Sequence, residues 1–210
     1  MRQGIVLLLG ICCVLPAVAQ QTRPATVPAT PRETLRTLNI ALRDGDADTV
    51  KSLFQTANPE DKKLVAAMAD YAAALAALHR AASKAYGPEG ANAVTGDTAA
   101  QSADGLAAID KAEESIDGDT AVVKYAGATD PAVKLVRVDG IWKLPLSQLL
   151  NGADKPTEDR RLAELGTQTR VAADTTAEIV AGKYKTPEKA AEVWRARLLQ
   201  SVLTKATTRP

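Results

Sequence analysis

Residues 132–146 have the sequence AVKLVRVDGIWKLPL, in which two runs of alternating apolar and polar side chains flank Asp139-Gly140. Asp-Gly between alternating runs is the strongest short-range signal of a β-hairpin with a two-residue loop. The predicted pairs are Val138 with Ile141, Arg137 with Trp142, Leu135 with Leu144, and Val133 with Leu146. We therefore expect Trp142 in the core with Arg137 beside its ring, and Lys143 exposed on the opposite face.

The chain before this hairpin is predicted to contain three helices and a first hairpin. Thr30-Pro31 with Glu33 forms a capping box, so a helix begins there and ends at Asp44-Gly45. Asp46 begins a short second helix. A long third helix extends from Asn58-Pro59 to Gly87-Pro88, and we expect it to pack within its own domain rather than in an intermolecular coiled coil.

The segment between the long helix and the first hairpin has no hydrophobic period. Residues 88–105 are rich in small side chains, which predicts a loop. The period then changes to two, so residues 112–116 and 120–125 are predicted as strands joined by Asp117-Gly118-Asp119.

The C-terminal part, residues 151–210, is predicted to be a helical hairpin. Its first helix ends at Gly182 and its second begins at Thr186-Pro187. The apolar stripe predicted for the first helix is Leu162, Leu165, Thr169, Ala173, Thr176 and Ile179/Val180. That of the second is Ala190, Ala191, Trp194, Leu198 and Val202. Between the helices, Lys183, Tyr184 and Lys185 are predicted to form a solvated basic turn.

The first 19 residues are typical of a cleavable secretory signal. One basic residue, Arg2, precedes an apolar run that Pro16 ends, and Ala17-Val18-Ala19 predicts cleavage before Gln20. The apolar run of about 11 residues spans about 16 Å as a helix, against roughly 30 Å of hydrocarbon in a bilayer. We expect an exported protein, periplasmic or extracellular, with a Pro/Thr-rich tether at residues 20–30 and no membrane span after cleavage.

Composition excludes several classes of function. Both cysteines, Cys12 and Cys13, lie within the predicted signal, so disulfides, thiolate catalysis and zinc–cysteine sites are not expected in the mature chain. The signal carries one of the 26 basic residues and none of the 25 acidic ones, which leaves the mature chain neutral. A neutral chain without a dense basic run argues against nucleic acid as a partner.

Three segments resemble the NTF2-like superfamily, in particular the small exported NTF2-like domains of bacteria. These are ALRDGDADTVKSLF at 41–54, SIDGDTAVVKY at 115–125 and VRVDGIWKLPL at 136–146. The resemblance covers about residues 31–150 and leaves the C-terminal helices outside. It implies an α+β fold with N-terminal helices packed on a curved antiparallel sheet, in a cone-like shape. The family includes enzymes, binding domains and assembly domains, so the fold alone decides no function.

Candidate site residues are few. His79 is the chain's one histidine, the side-chain type that exchanges protons near neutral pH. With Tyr71, Tyr125 and Arg137 it forms the one set comparable to the acids and histidines that project into the cone of NTF2-like enzymes. Asp44, Asp46 and Asp48 have the spacing of a calcium loop, but Thr49 and Gln55 stand where it needs Gly and an acid, so helix capping is expected. Neither a metal site nor a cofactor is predicted.

These observations favour an exported, non-catalytic domain that binds a partner protein or a small ligand. Two alternatives remain open. The first is a small cofactor-free isomerase or dehydratase that uses His79 as its acid or base. The second is an assembly module that associates through its C-terminal helices, and the oligomeric state is not predicted.

Overall fold

The computed structural model describes residues 28–126, 132–150 and 155–206, with side chains up to residue 200. The predicted signal lies outside these ranges, as does most of the predicted tether. The helices are α1 (Pro31–Asp44), α2 (Ala47–Leu53), α3 (Pro59–Thr95), α4 (Thr98–Lys111), α5 (Leu146–Leu150), α6 (Lys155–Val180) and α7 (Pro187–Ala206). The strands are β1 (Phe54–Gln55), β2 (Glu113–Asp117), β3 (Thr120–Lys124), β4 (Val133–Val138) and β5 (Ile141–Pro145). The fold is therefore mixed α+β, with helices packed on a sheet.

The first helix has the ends that its sequence predicts. Thr30 accepts a hydrogen bond from the Glu33 amide at 3.1 Å, and the Glu33 carboxylate accepts one from the Thr30 amide at 3.2 Å. Gly45 ends α1 in the left-handed conformation, with φ of 74°. The predicted start of α2 is also confirmed, because the Asp46 carboxylate accepts a hydrogen bond from the Thr49 amide at 3.0 Å.

The predicted loop at residues 88–105 is wrong over most of its length. The chain bends at Gly87, where φ is 79°, and α3 then continues to Thr95. A second helix, α4, starts after Asp97, whose carboxylate accepts a hydrogen bond from the Ala100 amide at 2.9 Å. Neither helical segment has a hydrophobic period in the sequence, because alanines and glycines pack there and α4 buries little besides Ser102 and Ile109.

The sheet has the order β1-β5-β4-β3-β2. The predicted register of the second hairpin is confirmed at Val138–Ile141, Arg137–Trp142 and Val136–Lys143. Asp139 and Gly140 both have positive φ, 53° and 78°, as a type I′ turn requires.

The far end of the hairpin differs from the prediction. Strand β5 ends at Pro145, and Leu146 begins α5 instead of pairing with Val133. The structure also adds β1, which pairs in parallel with Leu144 and Pro145. A two-residue strand carries no periodic signal, so the alternation of side chains cannot reveal it.

The inner face of the sheet contacts α1 and α4. Trp142 is only 2% exposed and belongs to a cluster with Leu35 of α1 and Ile109 of α4. The guanidinium of Arg137 lies 4.4 Å from the centre of its ring, as predicted. Lys143 is on the opposite face as expected, but it is half-buried rather than exposed.

Helix α6 packs along both halves of α3, with Leu162 and Leu165 against the cluster that contains Leu64, and a second cluster joins the second half of α3 to both α6 and α7. This cluster includes Leu78 of α3, Ile179 of α6 and Trp194 of α7. The stripe predicted for α6 is partly wrong, because Ala172 and Thr175 are buried whereas Ala173 is exposed. Val180 is 74% exposed. Alanine and threonine occur on both adjacent faces of this helix, so composition does not distinguish the face that contacts α3.

The turn between α6 and α7 is the solvated basic turn that the sequence predicts only in part, because Lys183 and Lys185 are exposed but Tyr184 is not. Tyr184 is buried, and its hydroxyl donates to the Glu178 carboxylate. Glu178 also pairs with Lys183 and accepts two hydrogen bonds from Arg197, at 2.7 and 3.1 Å. The hydrogen bonds from Arg197, then those from Lys183 and Tyr184, lower the pKa of Glu178 to about 2. Burial, followed by the hydrogen bond to Glu178, raises the pKa of Tyr184 to about 12.

Glu178→Gln is expected to lower the free energy of unfolding by about 1–3 kcal/mol at pH 7, since it removes a charged hydrogen-bond acceptor from three donors. The carboxylate has its usual pKa of 4.5 when unfolded and about 2 when folded, so its contribution is complete above pH 4.5 and is lost as the pH falls towards 2. Urea unfolding across this range measures the difference between wild type and variant. Glu192→Gln is the control, since Glu192 pairs only with exposed Lys189. A difference that does not change between pH 5 and pH 2 would contradict the assignment.

Candidate functional site

A surface cleft lies where α1, α3 and α4 meet, and His79 is in its wall. Its volume is about 240 Å³. The residues that line it are Asn39, Leu42 and Arg43 of α1, Leu75, Ala76 and His79 of α3, and Thr98, Gln101 and Ser102 of α4. Six of these side chains are polar or charged, and none is a carboxylate.

Close contacts between the three helices fix the walls of the cleft. At Gly45, the end of α1 approaches α3 so closely that an added Cβ would lie 2.8 Å from the Ala76 Cβ and 2.9 Å from the Ala73 Cα. Helix α4 is held to α1 by Ser102, whose hydroxyl donates to the Asn39 side-chain oxygen at 2.6 Å. The cleft therefore belongs to the packed part of the fold rather than to a loop.

The orientation of the His79 ring follows from its contact with Thr95. The Thr95 hydroxyl lies within hydrogen-bond distance of two carbonyl oxygens, that of Ala91 at 3.1 Å, one turn earlier in α3, and that of Gly96 at 3.4 Å. His79 Nδ1 lies 2.8 Å from that same hydroxyl oxygen. These carbonyl acceptors favour the tautomer in which Nδ1 carries the hydrogen and donates it to the Thr95 hydroxyl. In the neutral ring, Nε2 is then a hydrogen-bond acceptor.

The charged side chain in the wall of the cleft is that of Arg43. Its guanidinium donates to the Asp44 carboxylate through Nε, at 2.7 Å, and through Nη2, at 3.1 Å. The hydrogen bond to Asp44 is the main reason that the pKa of Arg43 is raised. The pair is about half exposed, so its Coulomb energy is screened by solvent. Its charges largely balance, which makes the cleft polar rather than strongly basic.

The four candidate residues from the sequence do not come together. His79 lines the cleft, whereas Tyr71, Tyr125 and Arg137 do not. Arg137 lies next to Asp119 at one end of β3, and Tyr125 follows Lys124 at the other end. Burial raises the pKa of both Tyr71 and Tyr125, so these phenols stay protonated near neutral pH.

The residues that accompany His79 were missed by sequence reasoning. Thr98, Gln101 and Ser102 belong to α4, which the sequence suggested was a loop. Asn39 lies in α1, outside the apolar stripe of that helix. Ordinary polar residues on helix surfaces carry no motif, so only the packing of α4 against α1 reveals them.

The acidic residues near the cleft have structural partners. The Asp46 carboxylate accepts a hydrogen bond from the Thr49 hydroxyl at 2.7 Å, and hydrogen bonds from Thr49 lower its pKa. Helix capping thus accounts for Asp46 as the sequence predicted. Across residues 28–126, 132–150 and 155–206, no group of three or more His, Asp or Glu side chains is arranged to hold a metal ion.

His79→Gln is expected to change the free energy of unfolding by less than about 1 kcal/mol, because His79 is half-buried and makes a single hydrogen bond at the rim of the helix packing. Its neighbour Leu78 is fully buried, so Leu78→Ala is expected to cost about 2–5 kcal/mol. Chemical unfolding of the two variants gives both values. A large loss of unfolding free energy in His79→Gln would show that His79 is a core residue rather than part of an open site.

Comparison with protein-family models, with characterised proteins and with solved structures finds no match to this chain. None of the helices in the described ranges is both long enough and apolar enough to cross a membrane.

Proposed function

We propose that the protein is an exported, non-catalytic binding domain whose cleft between α1, α3 and α4 receives a small polar ligand. The observation that carries the proposal is the contact between His79 Nδ1 and the Thr95 hydroxyl, because in the tautomer with hydrogen on Nδ1 it leaves Nε2 as an acceptor in a side chain of the cleft wall. The amides of Asn39 and Gln101 line the same cleft and add further donors and acceptors.

The dimensions and chemistry of the cleft define the ligand class. A volume of about 240 Å³ is below the range of about 300–1,000 Å³ that is usual for drug-sized ligands, so a compact molecule fits. Leu42, which is 39% exposed, and Leu75 offer an apolar wall. We infer a compact molecule with an apolar part and a hydroxyl or N–H group that donates to Nε2 of His79.

The lining favours binding over acid–base catalysis. A general base usually acts with a second group that orients it or returns the proton, and among the described residues His79 bonds a threonine hydroxyl rather than a carboxylate. No carboxylate is among the residues that line the cleft. The isomerase or dehydratase alternative therefore has less support than a binding role.

Three cyclohexane derivatives that differ only in their polar group test the proposal. Cyclohexanol and cyclohexylamine carry a donor, and cyclohexanecarboxylate at pH 8 does not. We expect the first two to shift the backbone amide resonances of Asn39, Gln101 and Ser102 in a saturable way, and the carboxylate to bind at least about tenfold more weakly, the equivalent of one hydrogen bond.

His79→Phe keeps a ring but removes the acceptor, so it should weaken cyclohexanol binding by a similar factor. Tyr71→Phe is the matched control on the same helix, outside the cleft, and should leave binding unchanged. Equal binding to wild type and His79→Phe, or no shift in the cleft amides with any of the three probes, would refute the proposed site.

Export and the NTF2-like resemblance are part of the same proposal. The composition of residues 1–19 supports export, and protein recovered from the cell envelope should then begin at Gln20 rather than Met1. Packing of helices on the sheet and the Asp139-Gly140 hairpin support the resemblance and its cone-like sheet. An experimental structure with a flat sheet would contradict the cone.

We also propose that α6 and α7 form an antiparallel helical hairpin. The connection between them is short, and Gly182 has a positive φ of 69°, which is common where a helix ends. Ile179 of α6 shares a core cluster with Ala190 and Trp194 of α7. Helix axes that cross at a wide angle in an experimental structure would rule the hairpin out.

A further inference from the structure

In the described part of the chain, the helices pack on one face of the sheet and leave the other face open. Side chains alternate along β3 and β4, so Val123 and Leu135 are buried on the inner face whereas Val122 and Val136 are half-buried on the other. We call this other side of β3, β4 and β5 the outer face. A groove of about 670 Å³ lies on it, and Val122 and Val136 are among its lining residues.

The groove opens where β5 leaves the sheet. The register places Pro145 opposite Lys134, and proline has no N–H to donate to β4. The Gln148 side chain bonds to the backbone of β4 beside this position. Its oxygen accepts a hydrogen bond from the Lys134 amide and its nitrogen donates one to the Ala132 carbonyl, both at 3.0 Å. Gln148 thereby bounds the groove at one end.

The apolar part of the outer face is a stripe across three strands. It consists of Val122, Val136, Val138, Ile141 and Pro145, all half-buried. Adjacent strands lie about 4.8 Å apart, so three strands present a surface about 10 Å wide. An α-helix with its side chains is about 10–12 Å in diameter, so one helix fits across this surface.

Lysines predominate among the charges of the outer face. Lys124, Lys134 and Lys143 project from it, one on each of the three strands. Along β3, β4 and β5, which are fully described, no outward position is acidic. On β2, which continues this side of the sheet, Glu113 lies opposite Lys124 and Asp117 lies opposite Thr120. Lys134 and Lys143 are therefore the lysines whose cross-strand neighbours, Val122 and Val136, are uncharged.

We propose that the outer face docks an amphipathic helix of a partner protein, with an apolar stripe flanked by Asp and Glu. The apolar stripe and the groove accommodate the helix, and Lys134 and Lys143, whose cross-strand neighbours are uncharged, select acidic flanks. These residues are separate from those of the His79 cleft, so the two proposals can fail independently.

The probe is a synthetic helical peptide of about 18 residues, long enough for about 27 Å of helix, with a leucine stripe flanked by glutamates. A matched peptide has lysines in place of the glutamates. Fluorescence anisotropy with the full-length protein measures both affinities. We expect saturable binding of the acidic peptide, at least about tenfold tighter than binding of the basic one, and weakening as salt is raised.

Lys134→Glu should weaken binding of the acidic peptide at least about tenfold, whereas Lys185→Glu, an exposed lysine in the link after α6, should leave it unchanged. Lys134 is exposed, so its substitution leaves the core intact. Equal affinity for the two peptides, or no effect of Lys134→Glu, overturns the proposal. A dimer in analytical ultracentrifugation that Val136→Asp abolishes also overturns it, in favour of a second copy as the occupant.

Discussion

Replacing Trp142 with alanine is expected to lower the free energy of unfolding by about 3–5 kcal/mol, the usual cost of removing a large aromatic side chain from a core. Trp142 is 2% exposed and contacts the cluster that joins the sheet to α1 and α4. The change also removes the ring on which the Arg137 guanidinium stacks. Urea unfolding followed by circular dichroism measures the loss.

The matched control is the next residue in the strand. Lys143 lies on the outer face, so Lys143→Ala should cost less than about 1 kcal/mol. A shift of one residue in the register would exchange the environments of the two side chains. A larger loss from Lys143→Ala than from Trp142→Ala would therefore show that the hairpin register is incorrect.

Gly45→Ala is expected to cost roughly 2–5 kcal/mol, for two separate reasons. The left-handed conformation of residue 45, with φ of 74°, costs a residue with a Cβ about 1–2 kcal/mol. The new methyl group would also lie 2.8 Å from the Ala76 Cβ and 2.9 Å from the Ala73 Cα, and overpacking of this kind costs about 1–3 kcal/mol. Helix α1 must move away from α3 to relieve the contact.

Gly182→Ala separates the two causes. Gly182 also follows a helix and has a similar φ of 69°, but nothing lies within 4 Å of its added Cβ. It should therefore show only the conformational cost. Chemical unfolding of both variants measures the difference, and equal losses would mean that α1 and α3 do not approach closely at Gly45. Because Leu42 and Arg43 stand on α1 and His79 stands on α3, Gly45→Ala should also weaken cyclohexanol binding to the cleft.

The features that the sequence predicted well are those set by neighbouring residues. The Asp139-Gly140 turn and the Thr30–Glu33 capping box depend on local geometry, and the structure has both. Helix α4 was missed because its alanines form no stripe, and its stability depends on packing against α1. The buried face predicted for α6 is one position away from the observed one for the same reason. Residues 172 and 173 are both alanine, and only the packing on α3 buries Ala172 and leaves Ala173 exposed.

The candidate site shows the same limit. His79 stood out because it is the one histidine, which is a matter of composition. Its partner Thr95 lies beyond the bend at Gly87, so the contact exists only because α3 continues past that bend. Tyr184 likewise appeared solvated between two lysines, and only the fold brings Glu178 and Arg197 to it.

The state of the His79 ring tests the proposed site most directly. Because the chain has one histidine, a long-range proton–nitrogen correlation spectrum of the imidazole contains a single, unambiguous ring. At alkaline pH, where histidine rings are neutral, the hydrogen bond to Thr95 predicts hydrogen on Nδ1 and a lone pair on Nε2. Thr95→Val should then shift the population towards hydrogen on Nε2. A wild-type ring with its hydrogen on Nε2, unchanged by Thr95→Val, would contradict the acceptor on which the ligand site depends.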